Sequence, residues 1–287
     1  MALTVKQGFE KLRQNLEITG LQEETVSTRQ QNVREAVEKE MTVLDSFLTG
    51  SYRRSTMIAP LGESDIDIFV VLSANYYEQN GQGSLLAKVK QVLRKTYTKT
   101  PDISPNGQAV TITFTDFKVD VVPAFNRQGG GYLIPDSVGR RWIPTDPKKH
   151  VDLWSESNKV HNGNFVPLIK MIKGWNKKHS TLLRSFHLEC LVRGILTNVT
   201  ISDFPSGVRY VFEHGKSKIN AAVYDPAGYG SDVGSYGTIL SKFAAAGMLD
   251  AAYKLAYQAE QLDRGGQTQL AFQYWRKIFD DYFPAYG

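Results

Sequence analysis

The chain opens with a helical pattern. Between residues 23 and 48, Val26, Val33, Val37, Met41, Leu44 and Leu48 recur at steps of three, four and seven. Such steps lay one apolar stripe on one helix face. Gly50-Ser51 is expected to end this helix and begin a polar loop. Residues 66–72 (IDIFVVL) are short, β-branched and almost wholly apolar, as a strand buried on both faces would be. Helical spacing returns over 84–99 through Leu85, Val89, Val92 and Leu93, with Ser84 as the expected N-cap. Two strands follow at 109–114 and 117–123; the short Thr115-Asp116 link makes them an antiparallel pair. Residues 129–131 and 135–147 read as loops with a short hairpin.

Beyond residue 150 the strand signals fade. Helices are expected over 165–178, 185–199, 251–261 and 268–279, with a weaker one at 207–214. The glycine-rich stretch 227–237 reads as a flexible loop. The fold expected is α+β: a mixed-sheet lobe over residues 1–150 and a helical lobe over 151–287. The long first helix would span both lobes.

Composition changes this picture little. Apolar residues make up 41% and charged residues 22% of the 287, enough to fill a core. The 34 basic and 29 acidic residues leave a net charge of +5, which suits polyanionic ligands but is also an ordinary solvated surface. The single cysteine, Cys190, lies in an apolar helical stretch; it excludes an intrachain disulfide and a zinc site built on several thiolates. Residues 1–10 hold no apolar signal core, and no apolar run approaches the roughly 20 residues of a membrane span. A soluble, cytoplasmic protein without membrane attachment is expected.

The candidate chemistry begins with Asp65 and Asp67. On a strand, residues two apart point to one face, so two carboxylates converge there while Ile66 and Ile68 enter the core. Like charges that close cost free energy unless a cation neutralises them. Magnesium suits the pair, since it combines one or two carboxylates with substrate phosphates. Asp120, an acidic residue inside the apolar run KVDVV, completes a cluster if its strand neighbours the first. A lone D-x-D is a common strand end. Its meaning changes because Gly50-Ser51-Tyr52-Arg53-Arg54-Ser55-Thr56 stands a short loop upstream. There a glycine permits close backbone approach to phosphate, and a serine offers a hydroxyl and an N–H.

Gly50-Ser51, Asp65-x-Asp67 and a later strand aspartate together resemble the polymerase-β-type nucleotidyltransferase superfamily. The run 117–125 (FKVDVVPAF) looks like the branch that contains oligoadenylate synthase and cyclic GMP–AMP synthase. Bacterial members, the CD-NTases of antiphage CBASS systems, are similar in size, and many end in a helix of the type seen over 271–283, closing on Phe-Pro. The resemblance implies a polymerase-β-like lobe and a helical lobe with the active site in the cleft between them. It implies two magnesium ions, replaceable by manganese, held by Asp65, Asp67 and Asp120, with Asp120 accepting the proton of a ribose hydroxyl that attacks an α-phosphate. Gly50, Ser51, Lys173 (with Lys170 as the alternative lysine) and Ser185 would hold the triphosphate of ATP, GTP or a pyrimidine nucleotide. Phe186 would stack on a base. Asn158 matches, more loosely, a position near the base edge, and helix capping is its alternative role.

The implied product is a cyclic oligonucleotide, a second messenger of antiphage defence. Three alternatives stay open: nucleotide addition to an RNA 3′ end or into linear oligonucleotides, a small-molecule adenylyltransferase, and an inactive nucleotide or nucleic-acid sensor. Some relatives are conjugated through the C-terminal residue by a ubiquitin-like transfer system, and Pro284-Ala285-Tyr286-Gly287 looks like a short exposed tail suited to that. With Cys190 alone, the zinc-dependent DNA-sensing module of the animal enzyme is not expected.

Overall fold

In the computed structural model, which describes residues 2–18, 20–100, 102–230 and 232–287, the apolar stripe near the start of the chain does not form one helix. Helix α1 (Val5–Asn15) comes first, and α2 (Gly20–Glu38) stops well short of residue 48. The remainder of the stripe is strand β1 (Val43–Leu48). Val26, Val33 and Val37 are buried as a helical face requires, but Leu44 is 58% exposed. The helical spacing of 41–48 therefore coincides with a strand that pairs antiparallel with its neighbour. Gly50 then begins a short helix, α3 (Gly50–Arg53), in place of the expected polar loop.

The chain forms two compact units, Ile18–Asp152 and Met1–Glu17 with Leu153–Gly287. In the first unit, β2 (Asp65–Leu72) is followed by α4 (Gln82–Thr96), β3 (Asp102–Asn106), β4 (Ala109–Thr113) and β5 (Lys118–Asn126). The hairpin β6 (Tyr132–Asp136) and β7 (Arg141–Thr145) completes the set. Among the described residues the sheet order is β1-β2-β5-β4-β3, with β6 on β5 and β7 on β6. Only β2 and β5 run parallel; the other pairs are antiparallel, so the sheet is mixed. Helix α4 is capped at Gly81, not at Ser84.

Side-chain alternation gives the sheet two faces. Ile66, Ile68, Val110, Ile112, Val119 and Val121 pack with Val33 and Val37 of α2 and Leu86 and Val89 of α4. The opposite face carries Phe69, Val71, Val122 and Ala124, joined by Ile134, Phe47 and Tyr132. With apolar partners on both sides, β2 has no solvent face along most of its length.

In the second unit, α5 (Pro147–Val160), most of which lies here, is followed by α6 (Phe165–Lys178), α7 (Ser185–Ile195), α8 (Phe204–Lys218), α9 (Ile239–Arg264) and α10 (Thr268–Phe279). Residues 1–17 group here rather than with the sheet, unlike the division expected at residue 150. The reason is α1's apolar face, Val5, Phe9 and Leu12. The Phe9 ring meets Trp275 at 4.8 Å and Phe283 at 5.3 Å, both edge-to-face. Cys190 is buried within α7, as its apolar setting implies.

Candidate active site

The strand pairing places the carboxylates. In the parallel β2–β5 ladder Asp67 lies opposite Asp120 and Asp65 opposite Lys118. In the antiparallel β4–β5 ladder Thr111 lies opposite Asp120. By alternation Asp65, Asp67, Asp120, Thr111 and Lys118 share one face, that of Phe69 and Val122, away from α2 and α4. Asp65 is exposed, while Asp67 and Asp120 are half-buried.

Asp120 is the electrostatically strained member. Burial raises its pKa above the ordinary carboxylate value, and the Asp65 charge raises it further. Two effects oppose this: a hydrogen bond from Thr111 Oγ1 to Asp120 Oδ1 at 2.6 Å, and the Lys118 charge. Carboxylates in register on neighbouring strands favour a divalent cation, and an all-oxygen set suits magnesium or manganese. The side chains do not form a closed cage: among the described residues no three acidic, histidine or cysteine side chains gather as around an ion. Such an open arrangement fits a metal that also takes oxygens from substrate.

The upstream loop is fitted to Asp67. The Thr49 N–H donates to the Asp67 carbonyl at 2.9 Å, carrying the β1–β2 ladder one residue further. Gly50 has φ +63°, and a Cβ there would stand 1.7 Å from Asp67 Oδ2. Glycine is thus required twice, by the left-handed backbone and by the carboxylate against it. The turn closes on the Ser51 carbonyl, which accepts from Thr56 N at 2.8 Å and Met57 N at 3.1 Å. Thr56 is fully buried and Arg54 nearly so, which holds the half-exposed Ser51 in place.

The remaining expected residues belong to the helical unit. Lys173 is 7% exposed, and its ammonium lies 3.2 Å from Oε1 of the wholly buried Glu189, joining α6 to α7. Ser185 is the exposed first residue of α7. Phe186 is half-buried and stacks on Trp154 with centroids 6.1 Å apart and planes at 20°. Asn158 makes the capping bond of its alternative role: its Oδ1 accepts the Val166 N–H at 3.0 Å. It caps the start of α6, where Asn164 makes no side-chain cap bond.

Three contributors escape sequence reasoning: Thr111, Lys118 and Glu189. Thr111 and Lys118 become visible only through strand register. Glu189 has a signal of its own, an acidic residue in an apolar helix, and it faces Lys173 of α6.

The family model for the second messenger oligonucleotide or dinucleotide synthetase domain matches residues 3–158. A cyclic AMP-AMP-AMP synthase of Acinetobacter is 30% identical over 66% of this chain, and the match spans only 58% of that protein's length. A Bacillus cereus protein described as a probable cyclic nucleotide synthase is 31% identical over 83% of this chain and 81% of its own. The structure of E. coli CdnC with ATP superposes with a TM-score of 0.79 at 19% identity, covering 99% of both chains, which shows a common fold.

Proposed function

The chain belongs to the second messenger oligonucleotide or dinucleotide synthetase family, and from that premise we propose that it is a nucleotidyltransferase joining nucleoside triphosphates into a cyclic oligonucleotide. One observation supports this most: Asp67, against which Gly50 packs, lies in register with Asp120, and Asp65 shares their face. Asp65, Asp67 and Asp120 are the residues that would hold two magnesium ions. Bound there, such ions neutralise charge on the α-phosphate and make the attacking ribose hydroxyl more acidic.

The protein's own groups position and move protons. Asp120, whose carboxylate is oriented by the Thr111 hydroxyl, accepts the proton of the attacking hydroxyl. Gly50 allows the backbone close to phosphate, and Ser51 offers its N–H and hydroxyl. Ser185 contributes a hydroxyl to the triphosphate from the start of α7. Lys173 supplies positive charge whose direction is set by Glu189. Phe186 offers an aromatic face to a base.

Relatives are named CBASS oligonucleotide cyclases, so the product proposed is a second messenger of antiphage defence. ATP is the first substrate to try, given the ATP-containing CdnC structure. Conjugation through Gly287 is part of the same proposal, on different terms from a free tail. The Tyr286 carbonyl accepts from Leu3 N–H at 3.2 Å and its ring packs on Phe272, leaving Gly287 exposed.

The test is incubation with all four nucleoside triphosphates and magnesium, with and without RNA, then phosphatase treatment and mass spectrometry. A phosphatase-resistant cyclic product without RNA is expected. Label appearing only on RNA ends would replace this reading with terminal addition.

A further inference from the structure

We propose that Tyr236 is a positioning residue for the nucleotide: it latches the glycine-rich loop onto the start of α7 and presents Ser185 in one geometry. The inference rests on the reading of Ser185 as a triphosphate contact.

The loop, which its glycines alone would leave flexible, is tied at several points. The Val233 N–H donates to the Val223 carbonyl at 2.7 Å, and Tyr224 bridges to Asp232. Asp232 Oδ1 accepts from Val223 N at 2.9 Å and Gly234 N at 2.8 Å, while Oδ2 lies 3.6 Å from Lys242 Nζ. These bonds deliver Tyr236 to α7.

There the Tyr236 hydroxyl meets two groups. It accepts from the Arg184 N–H at 2.8 Å and lies 3.0 Å from His187 Nδ1. A hydroxyl has one proton, and the Arg184 bond leaves it free to donate to Nδ1. His187 is neutral, in keeping with 2% exposure and with burial lowering its pKa. The Arg184 guanidinium also sits 4.4 Å over the Tyr236 ring.

The first turn of α7 is thus gripped on both sides of Ser185. Tyr236 holds Arg184 and His187, and Trp154 holds Phe186. Arg184, the residue before α7, makes no side-chain cap bond of its own. The latch fits closely, since a Cβ on Gly234 would stand 2.7 Å from His187 Cε1 and 2.9 Å from Nε2.

Tyr236→Phe removes the hydroxyl and keeps the ring. Its ATP dissociation constant should rise about 3- to 10-fold, the range for one lost hydrogen bond, with kcat at saturation nearly unchanged. Exchange of the Arg184 amide proton should quicken. Gly234→Ala, which displaces the loop without touching Tyr236, should weaken ATP similarly. In a Ser185→Ala background, Tyr236→Phe should add less than about twofold, because both act through one contact. Weaker ATP binding by Ser185→Ala with none lost in Tyr236→Phe would overturn the latch alone. Equal ATP binding by Ser185→Ala and the unaltered protein would overturn the reading of Ser185 and the latch with it.

Discussion

Replacing Gly50 by alanine separates two demands the active-site loop makes on one residue. The first is backbone: φ is +63°, and an L side chain in that region costs about 1–2 kcal/mol. That corresponds to a melting temperature lower by roughly 2–8 °C. The second demand is room. The new Cβ would lie 1.7 Å from Asp67 Oδ2, so the carboxylate must retreat by about 1.3 Å to reach even a tight 3.0 Å contact. A reacting group displaced by about 1 Å can cost about 100-fold in rate. Gly107→Ala is the comparison: φ there is +62°, and a Cβ would meet nothing within 4 Å, so it carries the first cost and not the second. Both variants should melt earlier by similar amounts in a thermal scan. Only Gly50→Ala should lose about 100-fold in pyrophosphate release at saturating ATP. A folded Gly50→Ala protein with more than half the original kcat would refute the reasoning.

Asp120→Asn keeps an Oδ1 to accept from Thr111 and removes a charge the fold disfavours. Burial and Asp65 raise the folded pKa of Asp120 above its unfolded value, so this group's stabilising proton is in place below the unfolded pKa and lost as pH rises through the folded one. In metal-free melts, Asp120→Asn should therefore gain on the native protein as pH rises to neutrality; an unchanged difference across pH would contradict this. Glu189→Gln leaves a buried ammonium without its counter-charge and should cost about 3–5 kcal/mol in urea unfolding. The paired change Lys173→Met with Glu189→Leu should recover most of that loss. Asn158→Ala should lower stability by about 1 kcal/mol through the lost α6 cap, with nucleotide preference in competition assays unchanged.

Legibility from sequence follows how much of each signal is local. Strand β2 is readable because both its faces are buried, making residues 66–72 nearly continuously apolar. Helices α6 and α10 are readable in full: α10 has one buried face, and α6 is buried nearly all round with an apolar run to match. Residues 41–48 mimic a helix because Met41, Leu44 and Leu48 fall by chance at helical steps; in β1 Leu44 lies at a register shift and is exposed. Strand β3 carries Pro105, which argues against a strand except at an edge, and β3 is at the edge of the sheet order. Within the site, the approach of Asp67 to Gly50 and the Thr111 bond to Asp120 depend on register between strands, which no single segment encodes. The Asn158 cap of α6 is likewise hidden, because its partner Val166 lies across the α5–α6 turn.

The central claim, that Asp65, Asp67 and Asp120 together run a metal-dependent transfer, is tested most directly by magnesium-dependent pyrophosphate release from ATP in the native protein and in Asp67→Asn. Release should stop on chelation in the first and stay at background in the second, with the variant's melting curve near that of the native protein. Turnover by folded Asp67→Asn at the native rate would contradict it.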